Sequence, residues 1–108
     1  MMKRTEPPKL AELGPLFRTF CQKHRIRRLE VFGSVAHGQM TGASDLDLLV
    51  TPDEINPPST AELLEMAGEA EELAGAPVDF VLRRSLEQSA NRSAREHILA
   101  TAVCVYGS

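Results

Sequence analysis

The stretch VFGSVAHGQMTGASDLDLLV, residues 31–50, decides how this chain is read. An apolar, strand-like run ends at Gly33–Ser34, and a turn rich in glycine and serine follows. Asp45 and Asp47 then stand two apart beside and within the next apolar run, Leu46–Val50. Aspartate is a poor strand former, and a run this apolar belongs in a core, so the two acids need a reason. In a strand, residues i and i+2 point the same way. Asp45 and Asp47 therefore project together, while Leu46 and Leu48 face the core. Two ionised carboxylates this close repel unless a positive group sits between them. A divalent cation meets that need, and oxygen-only ligands on a strand suit Mg²⁺ or Mn²⁺ rather than zinc.

A third acid is available. PVDFVL, residues 77–82, holds one carboxylate, Asp79, between Val78 and Phe80. If this strand pairs beside Leu46–Val50, Asp79 joins the first two. Three carboxylates could then hold two metal ions about 3.5–4 Å apart, the arrangement used for in-line displacement at phosphorus. Gly33–Ser34 fits the same chemistry. Glycine lets backbone approach a ligand closely, and a short helix starting at Ser34 would aim free N–H groups at an anion. Taken singly, a D-x-D pair is often a solvated sheet edge, and a Gly-Ser pair is usually a turn. Here their order, separation and strand context agree.

Working outward, residues 1–8 carry Pro7–Pro8 and few apolar groups, which predicts a loose arm ahead of a single domain spanning 9–108. Leu10, Leu13, Phe17, Phe20 and Cys21 recur at helical spacing between Lys9 and His24. Gly14–Pro15 interrupts that run and predicts a clean helix only after it, with Pro15 in the first turn. Arg28–Phe32 alternates as a strand, with Leu29 and Val31 on one face and Glu30 and Phe32 on the other. The connection from Phe32 to Leu46 is too short for a helical crossover, which predicts antiparallel neighbours.

TPDEINPPS then breaks the chain with three prolines. Ser59 and Glu62 have capping-box spacing and open a helix whose apolar face is Leu63, Ala67, Ala70 and Leu73. Gly75 stops it. After the Asp79 strand, Ser85 and Gln88 repeat the capping-box spacing. Leu86, Ala90, Ala94, Ile98 and Thr101 mark one more helical face, and AVCVYG reads as a last strand. This order predicts an α/β (α+β) fold, a small mixed sheet with helices packed on it.

The chain has 108 residues, 43% hydrophobic and 25% charged, which is ordinary for a soluble globular domain. Its net charge of −3 argues against broad phosphate neutralisation, so direct polynucleotide binding is not expected. The basic clusters KHRIRR, 23–28, and Arg83–Arg84 read as solvated helix ends. Cys21 and Cys104 lie in apolar runs and read as buried free thiols. No apolar run approaches the roughly 20 residues of a membrane span, and MMKRTEPPKL lacks the apolar core of a signal peptide. The expected location is the cytoplasm, with no membrane partner.

GSVAHG followed by SDLDLLV resembles the pattern G-S-x-A-x-G…S-D-x-D-h-h-h of the DNA polymerase β-like nucleotidyltransferase superfamily. The small size resembles its minimal nucleotidyltransferases, the MNT group, whose fold is like a polymerase β palm. The resemblance is strong over Leu29–Val50. VDFVL fits the third-acid strand, and CVYG the closing segment. It implies that Gly33 and Ser34 contact the β- and γ-phosphates of a nucleoside triphosphate. Ser44 would add a phosphate contact, and Asp45 and Asp47 would bind Mg²⁺. Asp79 would complete a catalytic site of two Mg²⁺ ions and help deprotonate the attacking hydroxyl. His37 departs from the pattern, since many relatives carry Arg there.

Proteins of the MNT group are often encoded beside a HEPN-type toxin. The resemblance implies an antitoxin that transfers AMP from ATP to a tyrosine hydroxyl of that partner. His24 and His97, with no acid or cysteine partner nearby in sequence, read as surface residues. Two other readings stand beside the transferase: a degenerate antitoxin that neutralises its partner by binding, and a transferase acting on a small hydroxyl compound. A homo-oligomer is compatible with all three.

Overall fold

The computed structural model describes residues 10–33, 46–53, 55 and 57–107. The elements are α1 (Leu10–Lys23), β1 (Ile26–Phe32), β2 (Leu46–Pro52), α2 (Thr60–Ala74), β3 (Val78–Leu82), α3 (Arg83–Glu87), α4 (Arg92–Thr101) and β4 (Val103–Gly107). β1 and β2 pair antiparallel, as their short connection predicts. β3 joins β2 in parallel, with α2 as the crossover such a pair requires. β4 lies antiparallel on the other side of β1, so the sheet order is β3-β2-β1-β4. The fold is mixed α/β with a four-stranded mixed sheet.

Strand alternation divides the sheet into two faces. Leu29 and Val31 of β1, with Leu46, Leu48 and Val50 of β2, turn to one face. There they meet Leu13, Phe17, Phe20 and Cys21 of α1 and Met66, Ala70 and Ala74 of α2. The other face carries a smaller cluster, Phe32 and Leu49 against Leu86 of α3, with Ile98 and Leu99 of α4 packed on it. The same alternation puts Asp47 on this second face. A backbone bond from Leu46 N–H to Pro77 O (2.9 Å) starts the β2–β3 ladder.

The helix α2 begins and ends as its sequence predicts. Ser59 Oγ accepts the Glu62 N–H at 3.2 Å, and Gly75 takes a left-handed φ of 66° while its N–H bonds Glu71 O. Its buried stripe is rotated slightly from the predicted one, centring on Met66, Ala70 and Ala74, with Leu63 and Leu73 at the margins.

Three expectations are corrected. α1 runs unbroken through Pro15. A proline in the second turn forfeits one backbone bond, and burial of Leu13 and Phe17 on either side outweighs that loss. Gly14 is needed there for space, because a Cβ would stand 2.7 Å from Val105 O of β4. The single last helix is two helices. α3 follows β3 directly, with no side-chain cap from Ser85, and the cap of α4 is Asn91, whose Oδ1 accepts the Ala94 N–H at 3.1 Å. The Arg95 guanidinium holds the intervening turn through Glu87 O and Ser89 O. Ala90 and Ala94 are consequently exposed. Finally, Cys104 is exposed, whereas Cys21 is buried as predicted, and burial pushes its thiol up to about 12. Cys21 is therefore a packing group rather than a nucleophile.

Candidate active site

The register of β2 and β3 brings two of the predicted acids together. Asp47 stands directly beside Asp79, within a ladder running from Leu46↔Val78 to Val50↔Leu82. Neighbouring strands lie about 4.8 Å apart, and partners in register share a face. Asp47 is half-buried and Asp79 is exposed, so both carboxylates can be reached from solvent.

Gly33 completes the described part of the site. It follows Phe32, which pairs with Asp47 across the β1–β2 ladder. Its φ is +77°, a backbone conformation that side chains disfavour. A Cβ built at Gly33 would fall on Asp47 Oδ2. The Gly33 backbone is thus packed directly against the Asp47 carboxylate; the left-handed φ favours glycine, and an added Cβ would push that carboxylate aside. A strand end, a left-handed turn and two carboxylates are gathered at one end of the sheet.

The remaining predicted site residues, Ser34, Ser44 and Asp45, lie outside the described residues, as do His37 and the arm 1–8. Among the described residues, no group of three or more His, Cys, Asp or Glu side chains is placed to hold a metal ion. The donor set that is described, two carboxylates on adjacent strands, consists of hard oxygen ligands open to solvent. Such a set fits Mg²⁺ chemistry, which takes one or two carboxylates and completes its shell with water and phosphate oxygens.

Two carboxylates, Glu30 and Glu69, gather cations that the sequence did not set beside them. Glu30, on the same face as Asp47, is 4% exposed. It accepts a hydrogen bond from Arg83 Nη1 at 2.7 Å, and Arg28 Nε lies 3.4 Å away. Arg83 is therefore no solvated helix end. The sequence did place Glu30 opposite Leu29 and Val31, but not beside Arg83 of α3, which reaches it. His24 is likewise no simple surface residue. It is 17% exposed, packs on Phe20 with ring centres 4.8 Å apart and planes tilted by 59°, and bonds Glu69 Oε2 of α2. Lys23 Nζ reaches Glu69 Oε1 at 2.7 Å. His97 is exposed, as expected.

Residues 15–101 match the family described as the nucleotidyltransferase domain. A relative from Methanocaldococcus jannaschii, named provisionally as a protein adenylyltransferase, is 38% identical over 64 residues, which is 59% of this chain and 64% of that protein. The chain thus spans slightly less than two thirds of that curated relative. A solved structure described provisionally as a minimal nucleotidyltransferase is 31% identical, with a TM-score of 0.69 over 89% of this chain and 95% of its own. A chain in the structure of the tri-AMPylated HEPN toxin of Shewanella oneidensis in complex with MNT antitoxin shares the fold, with a TM-score of 0.63 at 16% identity. That match covers 91% of this chain and 73% of the other. With a family match over most of its length and the strand, turn and acid arrangement described above, the chain belongs to the nucleotidyltransferase domain family.

Proposed function

We propose that this chain is a Mg²⁺-dependent protein adenylyltransferase that moves AMP from ATP onto a hydroxyl, a tyrosine's, of a HEPN-type partner, and so acts as its antitoxin. One observation carries the reading: Asp47 and Asp79 stand side by side on parallel strands with the Gly33 backbone packed against Asp47. The adenylyltransferase name of the Methanocaldococcus jannaschii relative, and the AMPylated HEPN toxin in the Shewanella oneidensis complex, support the donor and the partner class.

Asp47 and Asp79, with Asp45, would hold the Mg²⁺ ions. Bound there, Mg²⁺ supplies positive charge to the triphosphate oxygens. Gly33, Ser34 and Ser44 would contact the phosphate oxygens, the two serines by donating hydrogen bonds to them. Asp79, the more exposed acid, takes up the proton of the attacking hydroxyl. The hydroxyl oxygen bonds the α-phosphorus, the bond from that phosphorus to the bridging oxygen breaks, and pyrophosphate leaves in line.

The test uses ATP labelled at the α-phosphate, Mg²⁺ and the product of the gene adjacent to the one encoding this chain. Label should appear on the partner and be lost in Asp45→Ala/Asp47→Ala. Neutralisation of the partner that survives this double change, with no label at any stage, would replace the transferase with simple binding.

A further inference from the structure

Helix α2 ends on carboxylates. Its last turn holds Glu71 and Glu72 and no basic residue. The C-terminal end of a helix carries partial negative charge and disfavours acids. Glu71 therefore needs a reason to stand there, and its side chain supplies one. Glu71 Oε2 accepts the backbone N–H of Val78, the first residue of β3, at 3.1 Å. The Glu71 carbonyl accepts the Gly75 N–H at 2.9 Å. One residue thus closes α2 with its backbone and opens β3 with its side chain, clamping the turn 75–77 between them.

The strand it opens is lightly held. β3 is an edge strand of five residues, none of them fully buried. Along a strand, backbone hydrogen-bonding groups alternate between its two sides. Leu46 N–H bonds Pro77 O, which turns the Val78 N–H away from β2 and onto the outer edge of the sheet. The Glu71 carboxylate satisfies that donor, and bonds from an ionised carboxylate to a backbone N–H are among the stronger hydrogen bonds. Asp79 is the next residue, joined to Val78 by one planar peptide unit. It is exposed, so the backbone of β3, more than side-chain packing, sets where its carboxylate stands.

We propose that Glu71 is a positioning residue: by holding the Val78 N–H at the outer edge of β3, it keeps Asp79 in register beside Asp47 for Mg²⁺ binding. This rests on the proposed function in taking Asp79 as a Mg²⁺ ligand. The part Glu71 plays is that of an acceptor, so its negative charge is secondary to its oxygen.

The test compares Glu71→Ala, Glu71→Gln and Glu72→Ala in the full chain. Amide exchange at Val78 reports the bond. A Mn²⁺ titration, followed by broadening of the Asp79 amide signal, reports the metal site. AMP transfer to the product of the adjacent gene reports the reaction. Glu71→Ala should quicken exchange at Val78, raise the Mn²⁺ concentration needed for broadening and lower kcat, the last two by about tenfold each, with KM for the partner unchanged. Glu71→Gln keeps an oxygen acceptor and should behave as wild type. So should Glu72→Ala, which removes the neighbouring charge from the same turn. Wild-type Mn²⁺ response and kcat in Glu71→Ala overturn the assignment. Equal damage in Glu71→Gln overturns it too, because the acceptor is then not what matters, and equal damage in Glu72→Ala makes the charge of the helix end the cause. Absence of transfer by the wild type overturns the transferase reading instead, and the Mn²⁺ titration then decides alone: a weakened response in Glu71→Ala upholds the positioning role, and no response at Asp79 in the wild type overturns it.

Discussion

At Gly33 backbone geometry and carboxylate position are one problem. A φ of +77° costs a non-glycine residue about 1–2 kcal/mol, and the added carbon would also displace Asp47 Oδ2. Gly33→Ala is therefore expected to lose about 1–2 kcal/mol of stability in urea titrations and to lose AMP transfer more than that stability loss explains. Asp79 behaves in the opposite way. It is exposed, so Asp79→Asn should leave stability within about 0.5 kcal/mol of wild type. Transfer should nevertheless fall by about 100-fold or more, because the amide can neither ligate Mg²⁺ as an anion nor accept the hydroxyl proton. Full activity in Asp79→Asn would remove that residue from the mechanism.

Between elements, Glu69 ties α2 to the end of α1. Hydrogen bonds from Lys23 and His24 hold its carboxyl below the usual glutamate value of 4.5. A depressed folded-state pKa gives stability that is present above the unfolded value and is lost as pH falls through the folded one. Glu69→Gln should therefore lower the Tm at pH 7, and the difference should close as melts are taken below pH 4.5. Glu69 raises the Lys23 ammonium in turn, so that part of the tie fades only above 10.5.

Capping acts at the same scale. Ser59→Ala and Asn91→Ala should each cost about 1 kcal/mol, since each removes the side-chain acceptor of a helix's first turn. These two caps also show what the sequence could and could not disclose. Ser59 was legible because a proline-rich break isolates it ahead of the helical stripe. Asn91 was not, because Ser85 and Gln88 offered a competing box and Leu86 continued the same spacing. Leu86 packs beside Leu49 straight after β3, and α3 closes at Gln88, a break that the apolar spacing did not display.

The meeting of Asp47 and Asp79 was legible as a condition. Each acid sits within an apolar strand and they meet if the strands are neighbours; the parallel direction and the register that sets Asp47 beside Asp79 came from the coordinates. Gly33 was legible as a turn, but its contact with Asp47 depends on the β1–β2 register and required coordinates. Ser34, Ser44 and Asp45 lie outside the described residues.

Across the whole molecule, the pair least visible in the sequence spans the most structure. β3 is an edge strand that pairs with β2 on one side, and it carries Asp79. Arg83, at the junction of β3 and α3, reaches over β2 to the buried Glu30 of β1. One ion pair therefore joins the edge strand that carries Asp79 to the strand that leads into Gly33. Removing one partner of such a pair leaves the other charge buried and costs more than the pair itself contributes. Arg83→Met should lose about 3 kcal/mol, moderated by Arg28 at 3.4 Å from the remaining carboxylate. The double variant Glu30→Leu/Arg83→Met should recover most of that loss, because no charge is left stranded. Amide exchange in β3 should quicken in Arg83→Met and slow again in the double variant, and AMP transfer should follow the same order because Asp79 rides on β3. Additive losses from Glu30→Leu and Arg83→Met, with no recovery in the double variant, would show that the two side chains stabilise the sheet independently.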